Sequence, residues 1–306
     1  MGGASRRQIA RAACGLWLLF SCHFLLAIDP DRRVDQLLHT GWTAKDGAPG
    51  DIRALAQTTD GYLWIGSSSG LFRFDGIHFD RYKATADLPL PQRAITSLMA
   101  APSGGLWIGF GSGHIGFLKN GALKVYGASD GLGTHSVLAF VRDRKDVVWA
   151  ALGVDGLARL QGSRWHRIGE DWNFSEIAYS LFEDRDGALW VGTVRKLYVL
   201  RPGAARFEIV TDHLGYITRL VQATNGTIWM SETGRSVHRV VRSGQGVADY
   251  GAEVAVGSRD ILIDNQGSLW VTSLGDGLRR VPNPERGSLP PAKTFTTPIE
   301  SFTRKD

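Results

Sequence analysis

Eight side chains spaced along this sequence have the chemistry to hold a polar ligand: Arg53, Arg93, His135, Trp172, Asn173, His213, Tyr216 and Arg259. A guanidinium is a planar fork of donors that matches a carboxylate or phosphate, and an aromatic ring offers a flat wall to a sugar or peptide. The plainer reading is that they are solvated loop residues, with Arg53 and Arg259 paired to nearby acids. Groups that would transform a ligand are not arranged to do so. His135 and His213 have no third ligand at metal-binding spacing. Asp184-Arg185-Asp186-Gly187 opens like a calcium loop, but Arg195 stands where the bidentate glutamate belongs, and turn chemistry explains the stretch. No Gly-x-Ser-x-Gly occurs. Both cysteines, Cys14 and Cys22, lie within the first 27 residues, so the remainder has no thiolate nucleophile or disulfide. No catalytic residue, metal or cofactor is assigned.

A repeat supplies the frame for these residues. DGYLWIG at Asp60–Gly66 returns as GGLWIG (Gly104–Gly109), DVVWAA (Asp146–Ala151), DGALWVG (Asp186–Gly192), NGTIWMS (Asn225–Ser231) and QGSLWVT (Gln266–Thr272). The tryptophans, Trp64, Trp107, Trp149, Trp190, Trp229 and Trp270, are spaced by 43, 42, 41, 39 and 41 residues. In the first unit IRALAQT, YLWIGS, LFRF and IHFDRYK read as four short strands, separated by Asp-Gly and Ser-Gly turns. A period near 40 with four strands per unit is the arithmetic of a β-propeller. The fold expected is all-β, with six four-stranded blades present in what reads as an incomplete seven-bladed ring.

Columns of the repeat separate structure from function. The tryptophans read as packing between blades. The position two residues after each is always small, as expected where inner strands crowd the axis, and the position nine before is always apolar. The position eleven before (Arg53, Thr96, Leu138, Tyr179, Thr218, Arg259) is expected to face the axis, and it holds no convergent His and Glu. The eight candidate residues fall on the face built by the strand 4-to-1 and strand 2-to-3 loops.

The pattern I/V-x-x-L-x-x-x-x-x-G-x-L-W-I/V-G-x-x-x-G-L-x-R-F/Y-D resembles the two-component regulator propeller repeat. HTGWTAKDGAPGDIRALAQTTDGYLWIGSSSGLFRFDG, at His39–Gly76, is especially similar to that family's first repeat. The resemblance implies the extracytoplasmic input domain of a bacterial sensor histidine kinase, hybrid sensor or diguanylate cyclase, binding a small sugar, peptide or anion. No kinase or cyclase signature is present in the chain, so it is not expected to be an enzyme itself. Alternatives are a propeller enzyme resembling streptogramin B lyase and a propeller that docks proteins. Dimerisation of the parent is left open.

Arg6, Arg7 and Arg11 precede an uncharged apolar run, Ala12–Ala27. This is the layout of a signal peptide over 1–27, with an uncleaved N-terminal anchor as the alternative. The chain is therefore expected to be exported, to the periplasm or the periplasmic side of the inner membrane. Removing those three arginines lowers the formal charge from +5 to +2, and no Lys/Arg run suggests nucleic acid. Membrane contact is expected only through this segment or through parts beyond the chain. Residues 28–40 read as a leader and closing strand and 41–306 as the propeller, truncated at its C-terminus. WTAKD (Trp42–Asp46) is echoed by FTRKD (Phe302–Asp306), which marks both as strand 4 exits. On this register blade six has its own fourth strand, Ile299–Arg304, and the strand near Leu38–Thr43 belongs to a further blade.

Overall fold

The structure is a computed structural model, which describes residues 40–83, 90–91, 94–233, 237–240, 258–273, 277–281 and 284. The signal segment, nearly all of the leader, Arg93 and Ile299–Arg304 lie outside the described residues. The described residues belong to one compact unit, His39–Asp306, and form a β-propeller of six antiparallel sheets.

Blade one contains Ile52–Gln57, Leu63–Ser67, Gly70–Phe74 and Phe79–Arg81; blade two contains Ile95–Ala100, Leu106–Phe110, Ile115–Lys119 and Ala122–Tyr126. Blade three contains Ala139–Arg142, Val148–Ala151, Leu157–Gln161 and Arg164–Ile168; blade four contains Ala178–Glu183, Leu189–Thr193, Leu197–Leu200 and Glu208–Thr211. Three strands each are described for blade five (Ile217–Gln222, Ile228–Glu232, Val237–Val240) and blade six (Ser258–Ile263, Leu269–Ser273, Gly277–Val281). The fourth strand of blade one is shorter than the expected Ile77–Lys83. Asp75 takes the backbone N–H groups of Ile77 and His78 at 2.8 and 2.7 Å, which extends the turn to His78.

The tryptophan column is where blades join. Trp64 packs with Leu106, Ile108 and Leu118 of blade two, and Trp107 with Val148, Ala150 and Trp165 of blade three. Trp149 packs with Leu181, Leu189 and Val191 of blade four, Trp190 with Leu220, Ile228 and Met230 of blade five, and Trp229 with Ile261, Leu269 and Val271 of blade six. These five clusters bury large apolar side chains, the dominant favourable term in a chain of thin sheets. The small residue two places after each tryptophan has a more specific cause than crowding at the axis. A Cβ on Gly66 would lie 2.6 Å from Ile95 of the next blade, and one on Gly192 would meet Ile217 at the same distance.

A carboxylate anchors the tryptophan from below. Asp184, 2% exposed, accepts the Trp190 indole N–H at 2.7 Å and the backbone N–H groups of Asp186 and Ala188 at 2.9 Å. Asp143 holds Trp149, and Asp264 holds Trp270, in the same way. Thr58 accepts from Trp64 through its hydroxyl at 3.0 Å. The Asp-x-Asp-Gly stretch is thus a turn that also fixes the core indole.

No sixth cluster joins blades six and one among the described residues. Leu55, Leu262 and Leu278 are 57%, 60% and 37% exposed, and Trp270 is half-buried. All four line one cavity of about 960 Å³, whose wall is built by the first strands of blades one, four, five and six and includes Leu181 and Leu220. In the filled interfaces the counterpart of Leu55 meets the preceding blade's tryptophan cluster, as Leu220 does at 2% exposure.

Thr40–Thr43 carry no strand. Trp42 packs edge-on against Phe74, 4.9 Å between centroids, and Thr43 caps the 3-10 turn Ala44–Asp46, which ends at left-handed Gly47. The same turn follows the fourth strands of blades two and three, at Ala128–Asp130 before Gly131 and at Glu170–Trp172 before Asn173. WTAKD therefore has the local structure of a strand 4 exit.

Exposed carboxylates at these turns give a pH signature. Hydrogen bonds from His78 and Ile77 lower Asp75 from 3.8 to about 2, and those from Thr43 lower Asp46. A group depressed on folding stabilises the native state above its unfolded pKa, and that stability is lost as pH falls through the folded value. The melting temperature is expected to fall as pH drops from about 4 to about 2. A profile flat over that range would contradict the assignment.

Candidate functional site

Hydrogen bonds tie described strand 4-to-1 loops to strand 2-to-3 loops at three places. Ser136 Oγ donates to Gly111 O at 3.2 Å, Leu214 N to Arg195 O at 2.9 Å, and Thr233 N to Tyr216 O at 2.9 Å. Lys196 reaches Glu176 at 2.6 Å, and that bond raises the lysine pKa. These loops carry most of the candidate side chains, but they do not gather them at one point.

Arg53 lies beside its own acid: Nη2 is 2.9 Å from Asp51, and this hydrogen bond lowers the Asp51 pKa. His135 is held by Asp155, which accepts its Nδ1 side at 3.0 Å and the backbone N–H groups of Thr134 and His135 at 2.9 and 2.8 Å. Burial pushes the Asp155 carboxyl up, and those hydrogen bonds outweigh it, leaving the pKa lowered. His135 therefore secures the junction of blades two and three. His213, at left-handed φ 62, is almost fully exposed with its ring 3.5 Å from Asp212.

Tyr216 is the candidate with the most developed surroundings. Its ring meets Tyr179 edge to face at 5.1 Å, and burial, then Tyr216, raises the Tyr179 pKa. Beneath it Gly215 N donates to Glu232, a buried carboxylate 3.2 Å from His238. Glu232, His238 and Tyr179 were not among the candidates. Glu232 follows Trp229 by three residues where other units carry Ser67, Phe110, Leu152, Thr193 or Ser273, so an acid at that column was the readable signal. Arg259 is exposed, and its carbonyl accepts from Thr218 Oγ1 at 2.8 Å. Next to it Arg219 grips Asp260 through two bonds of 2.7 and 3.1 Å.

Trp172 and Asn173 are used differently. Asn173 adopts left-handed φ 56 and donates through Nδ2 to Phe207 O at 2.9 Å. The Trp172 ring lies over Arg159, in the groove that the strand 1-to-2 turns border. Among the described residues no three His, Cys, Asp or Glu side chains converge as a metal site would require.

A family model described as "Two component regulator propeller" matches residues 46–69 and 174–195, the starts of blades one and four. No protein in the curated set matches significantly. The fold is similar to the extracellular domain of a hybrid two-component system protein of B. thetaiotaomicron, at TM-score 0.68 and 16% identity, over 79% of this chain and 35% of that one. It is also similar to virginiamycin B lyase from Staphylococcus aureus, at TM-score 0.60 and 14% identity, over 76% and 80% of the two chains. A third likeness is PorZ of the Porphyromonas gingivalis type-IX secretion system, at TM-score 0.54, 14% identity, and 73% and 38% coverage. The chain spans about a third of the two-component protein's length.

Proposed function

We propose that this chain is a ligand-binding input propeller of a two-component signalling protein, working outside the cytoplasm without chemistry of its own. The observation that carries the reading is the family match, which falls on two separate blades and covers the tryptophan strand of each. The basic and apolar layout of residues 1–27 supports export, and no helix among the described residues is long and apolar enough to cross a membrane. The ligand would be a small sugar, peptide or anion held on the loop face, with Tyr216, Tyr179 and Arg259 as contacts. A further blade would take its place between blades six and one.

A second reading is lactone cleavage, favoured by the likeness to virginiamycin B lyase over most of both chains. Against it, the axis column offers Arg53, Tyr179 and Arg259 rather than an acid–base pair. Thermal-shift screening of the purified chain against sugars, peptides and small anions tests the proposal. A hit is expected to raise the melting temperature, and Tyr216→Ala is expected to weaken binding about tenfold, the loss of one stacking ring. Stabilisation by a divalent metal together with ring opening of a cyclic depsipeptide would overturn it.

A further inference from the structure

In four of the six sheets the strand 2 tryptophan faces an arginine on strand 3: Arg73 in blade one, Arg159 in blade three, Arg239 in blade five and Arg280 in blade six. A guanidinium beside an indole is favourable in itself. In two blades a polar neighbour completes the arrangement. Arg73 lies 3.6 Å from Asp80, its partner on strand 4, and Arg280 donates to Ser268 Oγ at 3.0 Å.

Blades three and five depart from this: Arg239 Nε of blade five, like Arg159 Nε of blade three, is buried without a hydrogen-bond partner. Among the described residues, only in blade three does the guanidinium border a cavity between two indoles. The strand 4 partner of Arg159 is His166, not an acid, and the buried Arg159 Nε has no hydrogen-bond partner. The guanidinium carbon lies 4.4 Å from the Trp172 ring and 5.7 Å from Trp149, and the two rings meet edge to face at 6.1 Å. All three side chains line a cavity of about 460 Å³ between blades three and four, within the size range of small-molecule sites. The acids in its wall are already engaged. Asp143 holds Trp149 and two backbone N–H groups, Glu183 accepts from Arg144 N at 2.9 Å, and Asp186 is partnered as well. Burying a donor on a permanent cation without an acceptor is costly, so such a group in a cavity is poised for an anion.

We infer that this groove binds a small carboxylate with a planar apolar body. The carboxylate takes the fork of Arg159, as the pairing of two planar groups favours. The apolar body lies against Trp172 and Trp149. The site is on the side of the propeller opposite the loop face and is independent of the signalling reading above.

The test is calorimetric titration of the full chain with benzoate, and separately with inorganic phosphate. Benzoate is expected to bind saturably and to change indole fluorescence. Arg159→Gln and Trp172→Leu should each weaken it about tenfold or more, Arg159→Lys should fall between, and Arg73→Gln should leave it unchanged. Circular dichroism melts confirm that each variant is folded, and if Arg159→Gln is not, Trp172→Leu and Arg159→Lys decide. No benzoate binding up to about 10 mM, or equal binding by wild type and the folded variants, overturns the site. Phosphate binding as tightly as benzoate overturns the carboxylate-with-apolar-body assignment.

Discussion

Leu220→Ala is expected to lower the stability of the chain by about 2–5 kcal/mol, while Leu55→Ala changes it by less than about 0.5 kcal/mol. The two leucines occupy the same column of the repeat, nine residues before a tryptophan, so their local sequence and strand position match. Their surroundings do not. Leu220 is 2% exposed and packed with Trp190, Ile228 and Met230 at the junction of blades four and five. Truncation there removes a buried isobutyl group and leaves a hole that a sheet pinned on both sides closes only in part. Leu55 lines the same cavity as Leu220 but is 57% exposed there, so truncation removes little that was taken out of water. Urea denaturation of both variants gives the comparison directly. Equal losses would mean that Leu55 is covered in solution and the gap filled.

Asp184→Ala is expected to cost about 3 kcal/mol or more, since it leaves buried donors without an acceptor. Three are affected: the Trp190 indole N–H and the backbone N–H groups of Asp186 and Ala188. The loss should exceed that of a typical surface hydrogen bond because Asp184 is nearly wholly buried and ties the turn to the inter-blade core. The propeller tolerates the lack of this acid in two blades: Ala101 and Ala223 stand at the equivalent position in blades two and five, and Trp229 Nε1 has no hydrogen-bond partner. A melting temperature unchanged in Asp184→Ala would show that the indole and turn are held by packing alone.

The repeat made the fold legible because one constraint recurs six times. A large indole, a small residue two places on and an apolar residue nine before are each required by the same contact between blades. What spacing could not reveal was whether each contact is made. Leu55 and Leu220 read alike, and only the arrangement of blades separates the exposed one from the buried one. The Asp184 turn is legible as a turn, while its bond to Trp190 depends on the indole lying over the hairpin. The site was less legible, because loop residues answer to their neighbours rather than to the period. His135 is held by Asp155, Arg53 by Asp51, and the Trp172 ring turns away toward Arg159. No residue count from the tryptophans could place those pairings.

The central claim, that this propeller binds without transforming, is tested most directly by one titration. The purified chain is titrated calorimetrically with the sugar, peptide or anion that most raises its melting temperature, and the ligand is then recovered for mass spectrometry. The predicted result is a saturable heat of binding and a ligand of unchanged mass and connectivity. Recovery of a cleaved or ring-opened product would contradict it.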